Sequence, residues 1–386
     1  MLPALSPDEQ RHSEAVAALI RTELAACGGW LSFERFMELA LYSPGLGYYS
    51  AGSWKLGSGG DFVTAPEVSE LFGRCLAGQC AQVLRATGGE ILELGAGTGS
   101  LAAALLQALD DEGVLPERYA ILEVSGDLAA RQRACLGALP PHLRERIVWL
   151  ERLPTTPLRG VILANEVADA LPVRRFRVRG GAVSELGVAL APGGTLEDAE
   201  RPPDADLAQA CAAMLGAPPR SLPDGYTSEV SLRLAPWIAS LGGCLDRGLV
   251  LLIDYGLPRA HYYHAQRAAG TLRCHFRQRA HDDPFVNLGV QDITAWVDFT
   301  RIAEAASLAG LDVSGFATQA AFLLALGLER LVAAAPDDAS RARFAGEARR
   351  LVMPEEMGEA FKVMALTRGC NTPLTGFTLQ DLRRSL

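Results

Sequence analysis

The sequence predicts a doubly wound α/β fold with a mostly parallel, Rossmann-like sheet and helical N-terminal, inserted and C-terminal lobes. Three observations favour this class. The chain has 386 residues, enough for one large core with an appended lobe. From residue 90 onward, short apolar runs alternate with stretches of helical periodicity. A glycine-rich turn follows the first apolar run, where nucleotide-binding folds of this class place their ligand.

Residues 1–88 are expected to form a helical N-terminal cap. Ser6-Pro7-Asp8-Glu9 is a capping box with proline at the first helical position, and Ser32 begins a second short helix. Residues 45–61 are rich in Gly, Tyr and Ser, which predicts an ordered loop or a lid. Thr64-Ala65-Pro66-Glu67 is another capping box and predicts a helix that runs to about Arg85.

Residues 89–172 and 247–386 are expected to form the core, with helical additions. Its strands are continuous in hydrophobicity, as in a parallel sheet that is buried on both faces. The predicted strands are residues 90–94, 119–123, 146–150, 160–164, 248–254 and 361–367, and helices are predicted over residues 100–109 and 126–136. The intervening residues 173–246 predict an inserted substrate lobe, with a β-hairpin of residues 175–179 and 183–191 followed by two helical pieces. The rest of the C-terminal third is expected to be mainly helical.

Composition excludes several classes of protein. The net charge of −9 provides no basic footprint for a nucleic acid, and no apolar run approaches the ~20 residues that insert across a membrane. The eight cysteines form no Cys-x-x-Cys pair, which predicts reduced thiols and no metal site. The N-terminal residues resemble neither a signal peptide nor a transit peptide, so a cytoplasmic location is expected.

The turn after the first predicted strand predicts a cofactor site. Its sequence is Glu93-Leu94-Gly95-Ala96-Gly97-Thr98-Gly99, and the glycines let the backbone approach a ligand at the N-terminus of a helix. A dinucleotide fingerprint would need its third glycine at the position of Ser100. Glu93 would repel a pyrophosphate but suits the ammonium and sulfonium of S-adenosylmethionine, and Glu123 ends the next strand, where an acid binds ribose hydroxyls. The residues expected to bind S-adenosylmethionine here are Glu93, Gly95, Gly97, Thr98, Gly99 and Glu123.

Several segments resemble the MidA-like family of class I S-adenosylmethionine-dependent methyltransferases. In chain order, the segments are residues 60–69 (GDFVTAPEVS), 93–99 (ELGAGTG), 165–172 (NEVADALP), 252–256 (LIDYG), 270–273 (GTLR), 291–299 (QDITAWVDF) and 357–363 (MGEAFKV). The resemblance implies a seven-stranded methyltransferase sheet. Because the family includes a mitochondrial complex I assembly factor that methylates an arginine, it also implies a protein substrate, an arginine acceptor and a role with respiratory complex I. Thr98 stands where mitochondrial members carry Arg.

Asn165, Glu166 and Asp169 are the candidate active site. They follow a predicted strand, and ligands of open α/β sheets bind beyond the carboxyl ends of the strands. Asn165 is expected to contact the cofactor. If a helical turn begins here, the carboxylates of Glu166 and Asp169 share a face and would act as catalytic groups that hold a guanidinium. The alternative is that Asp169 only caps the turn before Pro172.

Asp61, Thr64 and Glu67 form a second candidate cluster, next to Tyr48 and Tyr49 in the adjoining loop. We expect Thr64 to contact the cofactor and the other four to cover the substrate; the alternative is that Thr64 and Glu67 only cap a helix.

Residues 273–284 carry two histidines and two aspartates at irregular spacing, which does not predict a metal site. Arg273, Arg277 and Arg279 of this segment are expected to contact an acidic partner or to brace the cleft. Two other functions stay open, a small-molecule methyltransferase and a cofactor-binding assembly chaperone without turnover. A homo-oligomer is also left open.

Overall fold

The computed structural model describes residues 2–51, 64–216 and 222–386. The main path of its central sheet has seven strands, numbered here β1 to β7 along the chain. They are β1 Glu90–Leu94, β2 Tyr119–Leu122, β3 Ile147–Leu150, β4 Leu158–Asn165, β5 Leu245–Leu257, β6 Asp312–Thr318 and β7 Phe361–Arg368. Their order is β3-β2-β1-β4-β5-β7-β6, and the short strand Val297–Asp298 pairs with the end of β5. The predicted seven-stranded, doubly wound sheet is confirmed.

The pairing of these strands defines the edge of the sheet where a ligand binds. Neighbours from β3 through β5 are parallel, whereas β7 runs antiparallel to both β5 and β6. The carboxyl ends of β1, β2, β4 and β5 and the amino end of β7 therefore lie at one edge. The chain reverses its direction of progress across the sheet between β1 and β4, and such a switch point forms a crevice for ligands.

Both faces of the sheet are covered, which explains the continuous hydrophobicity of its strands. One face, with Ile91 and Val161, packs against a cluster that includes residues of the helices Glu70–Thr87 and Ser100–Asp111. The other face packs against the helices Leu234–Cys244 and Phe299–Leu308. Successive side chains of a strand point to opposite faces, so a strand covered on both sides needs apolar residues at every position.

The N-terminal segment and the insertion share a second sheet of five strands. Its strands are Trp30–Leu31, Arg174–Arg179, Ala182–Leu190, Leu196–Arg201 and Tyr226–Val230. The predicted hairpin lies at its centre, and Trp30–Leu31 pairs with the second hairpin strand. The helices Pro7–Ala26, which has the predicted capping box at Ser6, and Phe33–Tyr42, capped by Ser32, complete this lobe.

The predicted helix from Thr64 to Arg85 is wrong in its first turn. The hydroxyl of Thr64 makes no capping hydrogen bond, and the helix is divided into Ala65–Val68 and Glu70–Thr87 by the extended residue Ser69. The Ser69 hydroxyl accepts from the N–H of Leu71 and so begins the second helix. Because Glu70–Thr87 packs on the central sheet, it belongs with the core rather than with the N-terminal cap.

The C-terminal third contains more strand than predicted. A small three-stranded sheet, Arg273–Phe276, Arg279–His281 and Asp292–Thr294, stands apart from the central sheet, and β6 is a strand as well. The helix Leu234–Cys244 falls within the insertion that the sequence predicts, but it packs on the central sheet.

The remaining helices are short or peripheral. They are Gly126–Leu136, Pro141–Arg144, Ala205–Leu215, Arg259–Tyr262, Gln319–Ala325, Leu328–Ala333 and Asp338–Val352. Across residues 2–51, 64–216 and 222–386, none of the helices combines the length and apolarity needed to span a bilayer.

Candidate active site

The glycine turn after β1 has the backbone that the sequence predicts. Gly95, Gly97 and Gly99 have φ angles of 61°, 55° and 89°, in the left-handed region that favours glycine. Gly99 is the N-cap of the helix Ser100–Asp111, so the free N–H groups of that helix begin directly after the turn. A Cβ atom on Gly95 would lie 3.4 Å from Cγ2 of Val167, which shows how closely the turn approaches the end of β4.

Glu93 is a buried acid at the carboxyl end of β1. It is 2% exposed, and the hydroxyl of Tyr119 donates to its Oε2 at 2.7 Å. Burial raises the pKa of Glu93 to about 7, although the Tyr119 hydrogen bond lowers it. No Lys, Arg or His in the described residues forms an ion pair with this carboxylate. A cationic ligand would supply the missing charge.

Glu123, directly after β2, is held by a network of donors. Its Oε1 accepts from the N–H of Ser125 at 2.8 Å, and its Oε2 accepts from the side-chain amide of Gln132 at 2.8 Å. The same amide donates to the carbonyl of Gly97 at 3.1 Å, and the indole N–H of Trp149 donates to Oε1 of Gln132 at 3.0 Å. The fully buried Gln132 thus fixes Glu123, the acid expected to bind ribose, relative to the glycine turn.

These groups line a cavity of about 310 Å³ at the carboxyl edge of the sheet. A volume above ~300 Å³ is typical of small-molecule sites. Nearly all the predicted cofactor residues are in its wall, namely Thr64, Glu93, Gly95, Gly97, Thr98, Glu123 and Asn165. Gly99 is absent from the wall and instead caps the helix behind the turn, while the hydroxyl of Thr98 hydrogen-bonds to that of Ser100 at 2.8 Å.

S-adenosylmethionine fits this wall. The paired acids Glu93 and Glu123 suit its ammonium and its ribose hydroxyls respectively. Oδ1 of Asn165 is buried and has no hydrogen-bond partner in the described part of the chain, so it offers an acceptor to the ligand. Apolar side chains complete the wall and would suit the adenine; they include Leu122, Val124, Leu128 and Leu153.

Glu166 also lines this cavity, and its backbone is strained. Its φ angle is 53°, which is unusual for a residue with a side chain, and its N–H donates to the carbonyl of Ile253 in β5 at 2.9 Å. The Asn165 amide donates to Oε1 of Glu166 at 3.2 Å, and the N–H of Ala65 donates to the same carboxylate. Burial and the nearby Asp169 raise the pKa of Glu166 well above its usual value.

The expected helical turn at Glu166 is not formed, and Asp169 does not line the cavity. The segment is an irregular turn, held because a carboxylate oxygen of Asp254 accepts from the N–H groups of Ala168 and Asp169 at 2.9 and 3.2 Å. Asp169 is 4% exposed and accepts a hydrogen bond from the hydroxyl of Tyr255. Direct contact of Asp169 with a substrate, expected from the sequence, is therefore wrong. Both Asp254 and Asp169 cap the turn, because the Asp169 carboxylate accepts from the N–H of Ala170.

Three carboxylates, those of Glu166, Asp169 and Asp254, are thus buried beside the cavity. Burial raises the pKa of each of Glu166, Asp169 and Asp254, and their mutual repulsion raises those of Glu166 and Asp254 further. None of the three forms an ion pair with a Lys, Arg or His of the described chain. Such a cluster can bind a cation or accept a proton.

Only part of the second predicted cluster, which includes Glu67, Tyr48 and Tyr49, lines the cavity. Glu67 and Tyr49 line the cavity, as does Tyr42, whose ring stacks on that of Tyr49 with centroids 5.5 Å apart. Tyr48 is 1% exposed and packs in the core of the N-terminal lobe, so its predicted contact with a substrate is wrong. Asp61 lies outside the described residues.

The arginines predicted to contact a partner are engaged within the chain. Arg277 pairs with Glu9 at 2.7 Å, and Arg273 pairs with Asp282. Sequence reasoning missed Tyr42, Gln132, Trp237 and Tyr255 as parts of the site. Only Tyr255 carried a signal, because it lies in the segment of residues 252–256 that resembles the family.

Two solved structures have the same fold, and one of them contains S-adenosyl-homocysteine. A protein from Burkholderia thailandensis crystallised with S-adenosyl-homocysteine matches this chain with a TM-score of 0.94 and 44% identity, over 100% of both chains. The native crystal structure of a protein from the same organism matches with a TM-score of 0.92 and 43% identity, also over 100% of both chains.

Comparison with protein families and curated proteins adds the class of activity. "Protein arginine methyltransferase NDUFAF7, mitochondrial" of Danio rerio is 28% identical over 88% of this chain and 83% of its own length. The NDUFAF7 homolog of Drosophila melanogaster is 29% identical over 97% of this chain and 91% of its own length. Residues 75–317 match the model of a family described as "Putative S-adenosyl-L-methionine-dependent methyltransferase". The chain belongs to this MidA-like family of class I methyltransferases, and S-adenosylmethionine is its cofactor.

Proposed function

We propose that this methyltransferase modifies an arginine side chain of a protein and that Glu166 binds the guanidinium. The observation that supports this acceptor is the cluster of Glu166, Asp169 and Asp254, which is buried beside the cofactor cavity and has no basic partner among residues 2–51, 64–216 and 222–386. A guanidinium is the side chain that carboxylates bind best in a fixed orientation. The names of the curated relatives give independent support for a protein-arginine acceptor.

The chemistry needs an aligned nitrogen and a place for one proton. S-adenosylmethionine, when bound, supplies a methyl group that is attached to a sulfonium, and the sulfur is a good leaving group because it becomes a neutral thioether. Glu166 would hold the guanidinium so that one nitrogen faces that carbon, because alignment lowers the barrier most when the methyl group is already activated. The nitrogen–carbon bond forms as the carbon–sulfur bond breaks, and the nitrogen loses a proton. Glu166 accepts this proton, a role that suits a carboxylate whose pKa is raised.

Asp169 would act through Tyr255 and is a positioning residue. Its hydrogen bond from the Tyr255 hydroxyl and the bonds of Asp254 to the turn fix the backbone that carries Glu166. The strain at Glu166 is consistent with a function, because the left-handed backbone persists only where its surroundings enforce it.

We further propose, from the family resemblance, that the acceptor is a subunit of respiratory complex I. Independently of that resemblance, we propose that the enzyme acts in the cytoplasm. The curated relatives are named as mitochondrial proteins, so location is tested separately by fractionation of cells that express the tagged chain.

The proposed acceptor is tested with tritiated S-adenosylmethionine and a lysate of the source organism from which the gene has been deleted. We expect label in a protein band and methylarginine after acid hydrolysis. Label confined to small molecules would favour a small-molecule methyltransferase, and cofactor binding without any transfer would favour an assembly chaperone. Either result would refute the proposal.

Glu166→Gln should abolish transfer, because the amide cannot accept the proton, and should change cofactor affinity only about threefold. Glu329→Gln, on an exposed helix surface, is the matched control and should retain full transfer. Normal transfer by Glu166→Gln would remove this residue from the mechanism.

A further inference from the structure

A second cavity of about 250 Å³ lies next to the cofactor cavity. Its inner wall is formed by Tyr255 at the end of β5 and by Phe361 at the start of β7. These two residues pair directly in the sheet register. The cavity is therefore at the same carboxyl edge of the sheet as the cofactor cavity, displaced toward β5 and β7.

Glu166 is the lining residue that the two cavities have in common. A second link joins the two walls, because the hydroxyl of Tyr49, in the wall of the cofactor cavity, donates to both carboxylate oxygens of Asp292 at 3.0 and 3.1 Å. Asp292 is fully buried and lines the second cavity. A group in the second cavity would therefore meet the cofactor at Glu166.

The wall of the second cavity suits a flat cation. The rings of Tyr255 and Phe361 pack edge to face, with centroids 5.3 Å apart, and Trp296 adds a third aromatic side chain. Aromatic faces and carboxylates together favour a guanidinium. Of the basic residues in the wall, Arg273 is half-exposed and is neutralised by Asp282, and burial lowers the pKa of His275, which favours its uncharged form.

The second cavity also accounts for sequence segments that the cofactor site leaves unused. The segments of residues 252–256, 270–273, 291–299 and 357–363 carry part of the family resemblance, yet none of their residues lines the cofactor cavity. Each of them contributes to the wall of the second cavity, and every lining residue except His275 lies in one of these four segments or in residues 165–172.

We propose that the second cavity is the acceptor site, which admits the side chain of an arginine and brings its guanidinium to Glu166 at the shared wall. This inference rests on the proposed arginine acceptor and adds the route by which that side chain enters. The three-stranded sheet contributes Arg273, His275 and Asp292 to the wall of this route.

The first test fills the cavity. Ala360→Trp places an indole in its wall and should lower methylarginine formation at least about tenfold, with the affinity for S-adenosyl-homocysteine within about twofold of wild type. Ala303→Trp, at a half-buried alanine outside both cavities, is the matched control and should retain transfer. Unchanged cofactor affinity in Ala360→Trp shows that the variant is folded.

The second test removes an aromatic ring from the wall instead of filling the cavity. Phe361→Leu should raise the KM for the protein acceptor about fivefold and leave kcat nearly unchanged, because the loss of an aromatic face weakens binding of the cation without moving Glu166. A fall in kcat at unchanged KM would contradict a role of Phe361 in acceptor binding.

The third test uses ethylguanidinium, the end of an arginine side chain, with the complex of the enzyme and S-adenosyl-homocysteine. Saturation-transfer NMR should detect binding to wild type and to Ala303→Trp, and no binding to Ala360→Trp. Binding that persists in Ala360→Trp, or is absent in wild type, would overturn the assignment of the cavity.

The two proposals fail in different ways. If wild type and Ala360→Trp form methylarginine equally well, the arginine acceptor stands and the second cavity is not its route. If wild type transfers label to an acceptor other than arginine, the proposed function fails, and the inference built on it fails with it.

Discussion

Binding of the cofactor should release a proton from Glu93. With its pKa raised to about 7 in the cofactor-free protein, about half of the Glu93 carboxyls are protonated near pH 7. A cationic ligand favours the ionised form, so its binding should release about 0.5 proton and should strengthen toward tenfold per pH unit below that pKa. The affinity should level off above about pH 7.5, where the carboxylate is already ionised.

Tyr119→Phe tests how strongly the ionisation of Glu93 controls the affinity for the cofactor. The lost hydrogen bond stabilises the ionised form of Glu93, and a bond to a charged group contributes about 1.5–3 kcal/mol, equivalent to about 1–2 pKa units. The ionised fraction near pH 7 would fall from about one half to between about one tenth and one hundredth. The affinity for S-adenosyl-homocysteine should therefore fall about 5- to 50-fold near pH 7 and recover as the pH rises.

Titration calorimetry in two buffers of different ionisation enthalpy measures both the affinity and the protons released. Glu166 lines the same cavity and also has a raised pKa, so the titrations are done in a Glu166→Gln background. In that background, Glu93→Gln should remove the remaining proton release. If proton release were insensitive to Glu93→Gln, or if affinity were flat between about pH 6 and 7, the assignment of Glu93 to the cationic end of the ligand would be refuted.

Three further predictions follow from the same site. Gln132→Ala leaves buried polar partners unsatisfied and should weaken S-adenosyl-homocysteine binding about tenfold in calorimetry, whereas Ala at the exposed Gln107 should not. Gly97→Val should abolish binding, whereas Gly113→Val, which imposes similar backbone strain with nothing nearby, should destabilise the protein but preserve binding. The folded-state pKa of Glu93 is above its unfolded value of about 4.5, so the contribution of this carboxyl to stability is lost as the pH rises from about 4.5 to 7. At pH 8, urea denaturation should therefore show Glu93→Gln to be more stable than the cofactor-free wild type by up to about 3 kcal/mol.

The sequence predicted most of the central sheet and the cofactor site because both depend on local patterns. Buried parallel strands are apolar at every position, and the run from Glu90 to Leu94 followed by the glycine turn has few other interpretations. β6 was missed because its sequence, Asp312-Val-Ser-Gly-Phe-Ala-Thr318, includes small and polar residues. Gly315 is required there for a tertiary reason, since a Cβ atom would lie 2.4 Å from the ring of Phe377.

The acceptor side of the site could not be predicted from local sequence patterns. The sequence indicated that Glu166 and Asp169 are close, but their orientation depends on Asp254, which is 85 residues from Asp169 along the chain. A helical turn would have put the two carboxylates on one face; the bonds to Asp254 instead hold an irregular turn and leave Asp169 behind the wall. The second cavity combines residues from four separate segments of the C-terminal half with Glu166, so no single motif reveals it.

The charges of the site also explain why its carboxylates lack basic partners in the part of the chain that the structure describes. The proposed reaction brings the cationic methyl donor and a cationic guanidinium to Glu166, and two cations at short range repel strongly in a site of low dielectric. An internal Lys or Arg would neutralise Glu166 and Asp169 but would leave this repulsion in place. Unpaired carboxylates with raised pKa values can instead ionise when the two cations bind. Methyl transfer removes the positive charge of the sulfonium, and the proton that the guanidinium loses neutralises Glu166. The carboxylate that binds the acceptor is therefore also the group that takes its proton.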